Sequence, residues 1–254
     1  MGSIPVEGTI KYHLNKTAVI TGGVRRLGRH ISYFLADKGY NLALIYNSSA
    51  SHELSATEKF LSERKIKFKF YKCDLQDLDS LKITADNIGK DFGVIDLLVN
   101  NSGVIRKESF ESLTPDVYDK VMNINVKAVL FGSQYFLPCL RKSDEPSIIN
   151  LASLGGLQYW STYFPYSLSK TSVIKLTQLM AKALAPQIRV NAIAPGTIII
   201  EGEEGNTPDK SPIEKIPLKK YGSPADITEA VNYLINAKYV TGQVITVEGG
   251  RILN

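Results

Sequence analysis

Tyr166 and Lys170, in the run Tyr-Ser-Leu-Ser-Lys, stand four residues apart, so on a helix they share one face about a turn from each other. An ammonium beside a phenol favours the phenolate, so the spacing predicts a tyrosine whose pKa falls from its ordinary value near ~10. Such a group can give a proton to a carbonyl or take one from an alcohol near neutral pH. Spacing alone does not make a site, because Tyr12 and Lys16 repeat it in a segment with no other catalytic feature. The second pair is distinguished by what accompanies it.

Part of that company is the turn Thr21-Gly22-Gly23-Val24-Arg25-Arg26-Leu27-Gly28, placed between an expected strand at Thr17–Thr21 and an expected helix at Arg26–Lys38. An open α/β sheet binds a dinucleotide there, with the pyrophosphate against the helix N-terminus. Gly22 lets backbone approach phosphate, and Gly28 allows tight helix–strand packing. A site selective for NAD places an acid about 20 residues further on, at the end of the second strand. Here that position reads Tyr46-Asn47-Ser48-Ser49, with no acid between Ala43 and Ser51, and Arg25 and Arg26 add positive charge. A neutral, hydroxyl-rich, arginine-flanked pocket suits a 2′-phosphate, which points to NADP(H).

The elements that must position these residues alternate in type. Strands are expected at Asn41–Tyr46, Lys67–Lys72, Ile95–Val99, Ser147–Leu151, Arg189–Ala194 and Gln243–Val247. Helices are expected at His52–Arg64, Asp77–Lys90, Val126–Arg141 and from Tyr166 to Leu184, with further starts at Thr114-Pro115 and Ser223-Pro224. Seven strands alternating with helices predict a doubly wound parallel sheet, helices on both faces, in a single domain over residues 17–254. Met1–Lys16 reads as an extension, and a polar loop over 197–221 reads as a mobile lid that selects substrate. That loop carries Glu201, Glu203, Glu204, Pro208 and Pro212.

Composition narrows the function classes. With 254 residues, 44% of them hydrophobic, the chain can bury a core for one such domain. The net charge of +5 comes from scattered basic residues without interleaved aromatics, which argues against a nucleic-acid binder. No apolar run of about 18 residues is present, and Met1–Lys16 lacks the apolar core of a signal peptide. A cytoplasmic protein, away from membranes, is expected. Cys73 and Cys139 read as free thiols, and His13, His30 and His52 lack metal-ligand spacing, so no metal is expected.

Taken in order, the motifs from Thr17 onward resemble those of the short-chain dehydrogenase/reductase family. After the glycine turn, Asp74-Leu75 is similar to the family's adenine-side pair, and Asn100-Asn101-Ser102-Gly103 to its Asn-Asn-Ala-Gly element. Asn125 matches a catalytic asparagine, and Ser153 precedes Tyr166 by the family's usual thirteen residues. Pro195-Gly196-Thr197-Ile198 resembles the segment at the nicotinamide end; Tyr239–Gln243 and Glu248-Gly-Gly250 resemble the C-terminal signature. The resemblance implies a Rossmann-like fold, NADPH as cofactor, and a homotetramer or homodimer packed through long helices. It implies that Tyr166 is the general acid/base and that Ser153 orients the carbonyl oxygen. Lys170 would hold the nicotinamide ribose and depress the tyrosine pKa, while Asn125 would hold a proton-relaying water.

The motifs disagree on substrate. Arg26 stands where the family's turn has a third glycine, which resembles the pteridine reductases, as do the segment after Gly196 and Ile216-Pro217-Leu218. That branch carries aspartate where this chain has Ser153, whereas serine belongs to ketone reductases, including the 3-oxoacyl-carrier-protein reductases. Three functions stay open: a carbonyl or 3-oxoacyl reductase, a pterin reductase, and a non-catalytic nucleotide-sensing module on the same fold.

Overall fold

The computed structural model describes residues 16–202 and 212–253. Most of the expected N-terminal extension, with Tyr12 and His13, and Glu203, Glu204 and Pro208 of the expected lid lie outside the described residues. The strands are β1 (Thr17–Thr21), β2 (Asn41–Tyr46), β3 (Phe68–Lys72), β4 (Leu97–Asn100), β5 (Ser147–Leu151), β6 (Arg189–Pro195) and β7 (Val244–Val247). They form one sheet in the order β3-β2-β1-β4-β5-β6-β7, parallel throughout. β1, β4 and β5 are buried at every residue, as central strands covered on both faces must be, and their sequences are accordingly almost unbroken apolar runs.

Among the described residues, seven α-helices cover the sheet: α1 (Arg26–Asp37), α2 (Ser51–Ser62), α3 (Leu78–Phe92), α4 (Pro115–Met122), α5 (Ala128–Leu140), α6 (Phe164–Leu184) and α7 (Pro224–Asn236). Neighbouring β1 residues face opposite layers. Ala18 and Ile20 pack with Ile31 and Leu35 of α1 and Val231 and Leu234 of α7; Val19 packs with Leu81, Ile88, Phe136 and Met180 of α3, α5 and α6. Helix starts follow their caps. The Asp77 carboxylate accepts from Asp79 N and Ser80 N, the Thr114 hydroxyl accepts from Val117 N, and Ser223 N donates to the Asp226 carboxylate.

Two expectations are corrected. The fourth strand begins at Leu97 rather than Ile95, because the chain bends at Asp96, whose carboxylate accepts from Thr17 N at 2.8 Å and from Ser143 Oγ at 2.6 Å. The helix expected from Val126 is not a separate element. The helix that starts at Pro115 runs on through a π-helical turn, Asn123–Lys127, and joins α5 at Ala128. A hydrogen-bond shift of one residue inside a helix leaves no trace in hydrophobic period. Other boundaries move by a residue or two, as helix and strand ends do. Among the described residues no helix is long and apolar enough to cross a membrane, and no group of three His, Cys, Asp or Glu side chains is placed to hold a metal ion.

Buried amides fasten α5 and α6 to the sheet. Asn100 Nδ2 donates to Ser133 Oγ of α5 and to Asn150 Oδ1 of β5, and Asn150 Nδ2 donates to Thr177 Oγ1 of α6. Polar groups buried this deeply are tolerated because each is paired, and the pairing fixes how the helices sit.

Candidate active site

The C-terminal ends of the strands open on one cavity of about 740 Å³, at the point where strand order reverses between β1 and β4. All the residues expected to hold the cofactor lie on its wall: Gly22, Arg25, Arg26 and Leu27; Asn47, Ser48 and Ser49; Asp74 and Leu75; Asn101, Ser102 and Gly103; Pro195, Gly196, Thr197 and Ile198. Ser153, Tyr166 and Lys170 share that wall. Asn125 does not; it is wholly buried behind it.

The glycine turn is shaped by contact with the loop after β4. Asn101 N and Ser102 N both donate to Thr21 Oγ1 at 3.0 Å, and Asn101 Nδ2 donates to Thr21 O at 2.9 Å. Gly22 has φ +66°, and a Cβ there would meet Ser102 Oγ at 2.8 Å; a Cβ on Gly28 would meet Gly22 O at 2.0 Å. Neither position admits a side chain. Helix α1 opens on the cavity with no acidic residue in its first turn and no side-chain cap, so the positive end of its dipole faces the cavity. Arg26, in place of a glycine, takes φ +48°. A non-glycine residue held in that region costs about 1–2 kcal/mol.

At the other end, Ser153 follows β5 by two residues and its hydroxyl accepts from Gly155 N at 3.1 Å. The Ser153 hydroxyl and the Tyr166 phenol line the same cavity. Lys170 is buried, and its ammonium donates to Leu151 O at 2.7 Å. It lies 5.8 Å from the centroid of the Tyr166 ring. The expected depression of the tyrosine pKa is not what this geometry yields. Burial pushes the phenol above its ordinary value, and the Ser153 hydroxyl only partly opposes it. Burial likewise pushes Lys170 down to about 8. Spacing gave the neighbour correctly, but not that desolvation of both groups outweighs their mutual effect.

Asn125 sits within the π-helical turn. Its Oδ1 accepts from Val104 N at 2.8 Å, and its Nδ2 donates to Val104 O at 2.9 Å and to Ser169 Oγ at 2.9 Å. Both amide protons are therefore committed to protein. Gly103 is pressed close, since a Cβ there would stand 3.3 Å from both Asn125 Oδ1 and Lys170 Nζ.

The expected lid is anchored at its feet. Gly222 N donates to Thr197 O and Ile199 N to Gly222 O, and Ile200 and Ile216 are buried. Sequence reading overlooked other wall residues: Val104, Ile105, Tyr159, Trp160, Tyr163 and Arg251 among them. Trp160 had a signal, being the one tryptophan in the chain and lying between Ser153 and Tyr166. Arg251 had none beyond following Glu248-Gly-Gly250.

Comparison with known proteins agrees with this geometry. The family model described as "Enoyl-(Acyl carrier protein) reductase" matches residues 23–251. The chain is 33% identical over 242 residues to a 3-oxoacyl-[acyl-carrier-protein] reductase of Staphylococcus epidermidis, covering 93% of this chain and 99% of that protein. It resembles the solved short-chain dehydrogenase/reductase of Serratia marcescens with a TM-score of 0.87 at 28% identity, over 95% of this chain and 99% of that one. It also resembles a blue fluorescent protein from a metagenomic library, solved in complex with NADPH, with a TM-score of 0.87 at 27% identity, over 94% and 99% of the two chains. The chain is an oxidoreductase that belongs to the short-chain dehydrogenase/reductase family.

Proposed function

We propose that the protein is an NADP(H)-dependent reductase of carbonyl compounds, acting reversibly on the corresponding alcohols. The observation that carries the reading is that Ser153, Tyr166 and Lys170 share the wall of the cavity that also holds the glycine turn. The cavity suits a dinucleotide: α1 turns its N-terminus toward one end with no acidic residue in the first turn, and the Gly22 and Gly28 contacts leave room only for backbone. Arg25, Arg26, Asn47, Ser48 and Ser49 would hold a 2′-phosphate, and the NADPH bound by one structural relative supports that choice over NADH. When bound, the cofactor would supply or accept the hydride at the carbonyl carbon, and its oxidised nicotinamide would bring a positive charge near Tyr166.

The chain's own residues divide the remaining work. Tyr166 gives its phenolic proton to the oxygen as the C=O bond is reduced, and takes it back in the reverse direction. Ser153 donates to the same oxygen and stabilises its developing charge. Lys170, held at Leu151 O, reaches the nicotinamide-ribose side of the cavity. Asn125 is a positioning residue that acts through Val104 and Ser169. On this reading residues 17–254 form one catalytic domain, with the 197–221 loop over the substrate. Subunits pair through α5 and α6, whose outer faces expose Leu130, Leu168 and Leu179.

A pterin substrate is the second reading, favoured by Arg26, whose left-handed backbone carries it into the cavity wall at the glycine turn. A panel of ketones, 3-oxoacyl thioesters and pterins, each with NADPH and NADH, separates the two. The carbonyl reading expects NADPH oxidation with ketones or thioesters that disappears in Tyr166→Phe. Turnover of pterins alone, lost in Arg26→Ala, would overturn it.

A further inference from the structure

The Arg251 guanidinium lies over the Trp160 ring, 5.0 Å from its centroid, and both residues line the cavity. Gln158 locks the pair. Trp160 Nε1 donates to Gln158 Oε1 at 3.1 Å, and Gln158 Nε2 donates to Arg251 O at 3.1 Å. The turn beneath is also fixed, with Arg251 N donating to Glu248 O and Ile252 N to Glu248 Oε2 at 2.9 Å. The Glu248 carboxylate thus caps backbone and makes no ion pair with Arg251 among the described residues.

The guanidinium is partly desolvated, and burial lowers its pKa while the charge of Glu248 opposes the shift. No acceptor among the described residues takes a hydrogen bond from its five N–H groups. A fork of donors held rigid against an aromatic face is the complement of a planar oxyanion. Its location assigns it to the substrate rather than to the cofactor phosphates. The Trp160 ring packs on Gly155, where an added Cβ would stand 2.7 Å from it, and Gly155 N donates to Ser153 Oγ; Glu248 abuts Gly196, where an added Cβ would stand 2.8 Å from Glu248 Cβ. The basic residues of the cofactor end, Arg25 and Arg26, follow β1 instead.

We propose that Arg251, backed by Trp160, binds a carboxylate of the carbonyl substrate, so that the substrate class is the oxo acids and their hydroxy-acid products. The inference rests on the reading of Tyr166 and Ser153 as the carbonyl-reducing pair. In the step, the C=O π bond breaks, and the carbon gains the hydride while the oxygen gains the Tyr166 proton. The reduced nicotinamide is oxidised, and the carboxylate leaves unchanged. Arg251 selects; it takes no part in the bond changes.

Trp160 is the chain's single tryptophan, so its fluorescence reads this pocket directly. The full-length protein, saturated with NADP+, is titrated with pyruvate, 3-oxobutanoate and 4-oxopentanoate, with their methyl esters, and with the N-acetylcysteamine thioester of 3-oxobutanoate. At least one acid is expected to bind roughly ten- to a hundredfold more tightly than its ester, the range of a charge-assisted hydrogen-bonded pair. Arg251→Leu should collapse that ratio toward one, and Arg251→Lys should restore part of it. Thermal melts of both variants verify that they fold. Equal midpoints for acid and ester throughout, tighter binding of the thioester, no fluorescence response, or an unchanged ratio in Arg251→Leu would each overturn the proposal. Full turnover by Tyr166→Phe would instead sink the chemical reading while leaving the binding result standing.

Discussion

Asn125 holds both backbone polar groups of Val104, accepting from its N–H at 2.8 Å and donating to its C=O at 2.9 Å. Its second amide proton goes to Ser169 Oγ, which in turn donates to Tyr166 O at 2.7 Å. One buried side chain therefore joins the loop after β4 to the first turns of α6. The Val104 side and the Tyr166 side of the cavity are set relative to each other through it.

Asn125→Ala removes three hydrogen bonds, one buried and two part-buried, and orphans the Val104 amide groups. The expected cost is about 2–4 kcal/mol of folding stability, readable by urea unfolding. Asn125→Asp keeps the acceptor and loses the donors, and should fall between the two. Wild-type stability in Asn125→Ala would mean the tie is idle.

Tyr166→Phe is expected to lower turnover by roughly 10²–10⁴-fold, the usual worth of a positioned acid/base. Ser153→Ala should lose about 10²–10³-fold, in line with one oxyanion donor. Because the two hydroxyls would act on the same substrate oxygen, the double variant should lose less than the product. The pH profiles give the sign. Reduction requires the protonated phenol and falls as pH rises through its pKa, whereas alcohol oxidation rises over the same interval. A profile unchanged in Tyr166→Phe would assign the titration elsewhere.

Lys170 is held at about 8 against an ordinary 10.5. Below that folded value the native state carries a buried cation that the unfolded chain solvates freely, so the group weakens the fold there. Between the two values the unfolded chain keeps its proton and the folded one has lost it, and stability recovers as pH rises. Lys170→Met should therefore gain stability relative to wild type near pH 7, on the order of 3 kcal/mol before the loss of the Leu151 hydrogen bond is subtracted. That advantage should shrink by about pH 10. Urea unfolding at both pH values, with the difference growing instead of shrinking, would contradict this account.

Arg26→Gly separates backbone strain from charge. Releasing the φ of +48° is expected to raise stability by about 1 kcal/mol. Loss of the guanidinium should raise KM for NADPH by roughly tenfold or more and leave NADH nearly untouched. A matching loss with both cofactors would place Arg26 outside the 2′-phosphate pocket.

Much of this was legible before the structure. β-branched runs marked the segments that form strands, and the residues singled out at the glycine turn and at the acid-free end of β2 stand on one cavity wall. What the residue order did not carry was set by tertiary contact. The helix through Asn123–Lys127 changes its hydrogen-bond register without changing its hydrophobic face. Tyr166 and Lys170 announce proximity, but their titration follows burial, which depends on elements far away in the chain. Arg251 reaches Trp160 across ninety-one positions of sequence, 251 less 160, and nothing in either neighbourhood announces that meeting.

The π-helical turn also records how this helix differs from a plain α-helix: it contains one residue more than the α repeat accommodates. Removing a single codon, that of Ile124, is therefore expected to preserve helix content while restoring the regular repeat. Because the extra residue is absorbed within the turn, Pro115–Met122 and α5 would keep their relative facing, and only the backbone of Asn123–Lys127 would re-form as plain α-helix. Asn125 would be carried away from Val104 and Ser169. A chain that folds with unchanged circular dichroism but no longer oxidises NADPH would identify the turn as an in-frame insertion retained for its geometry.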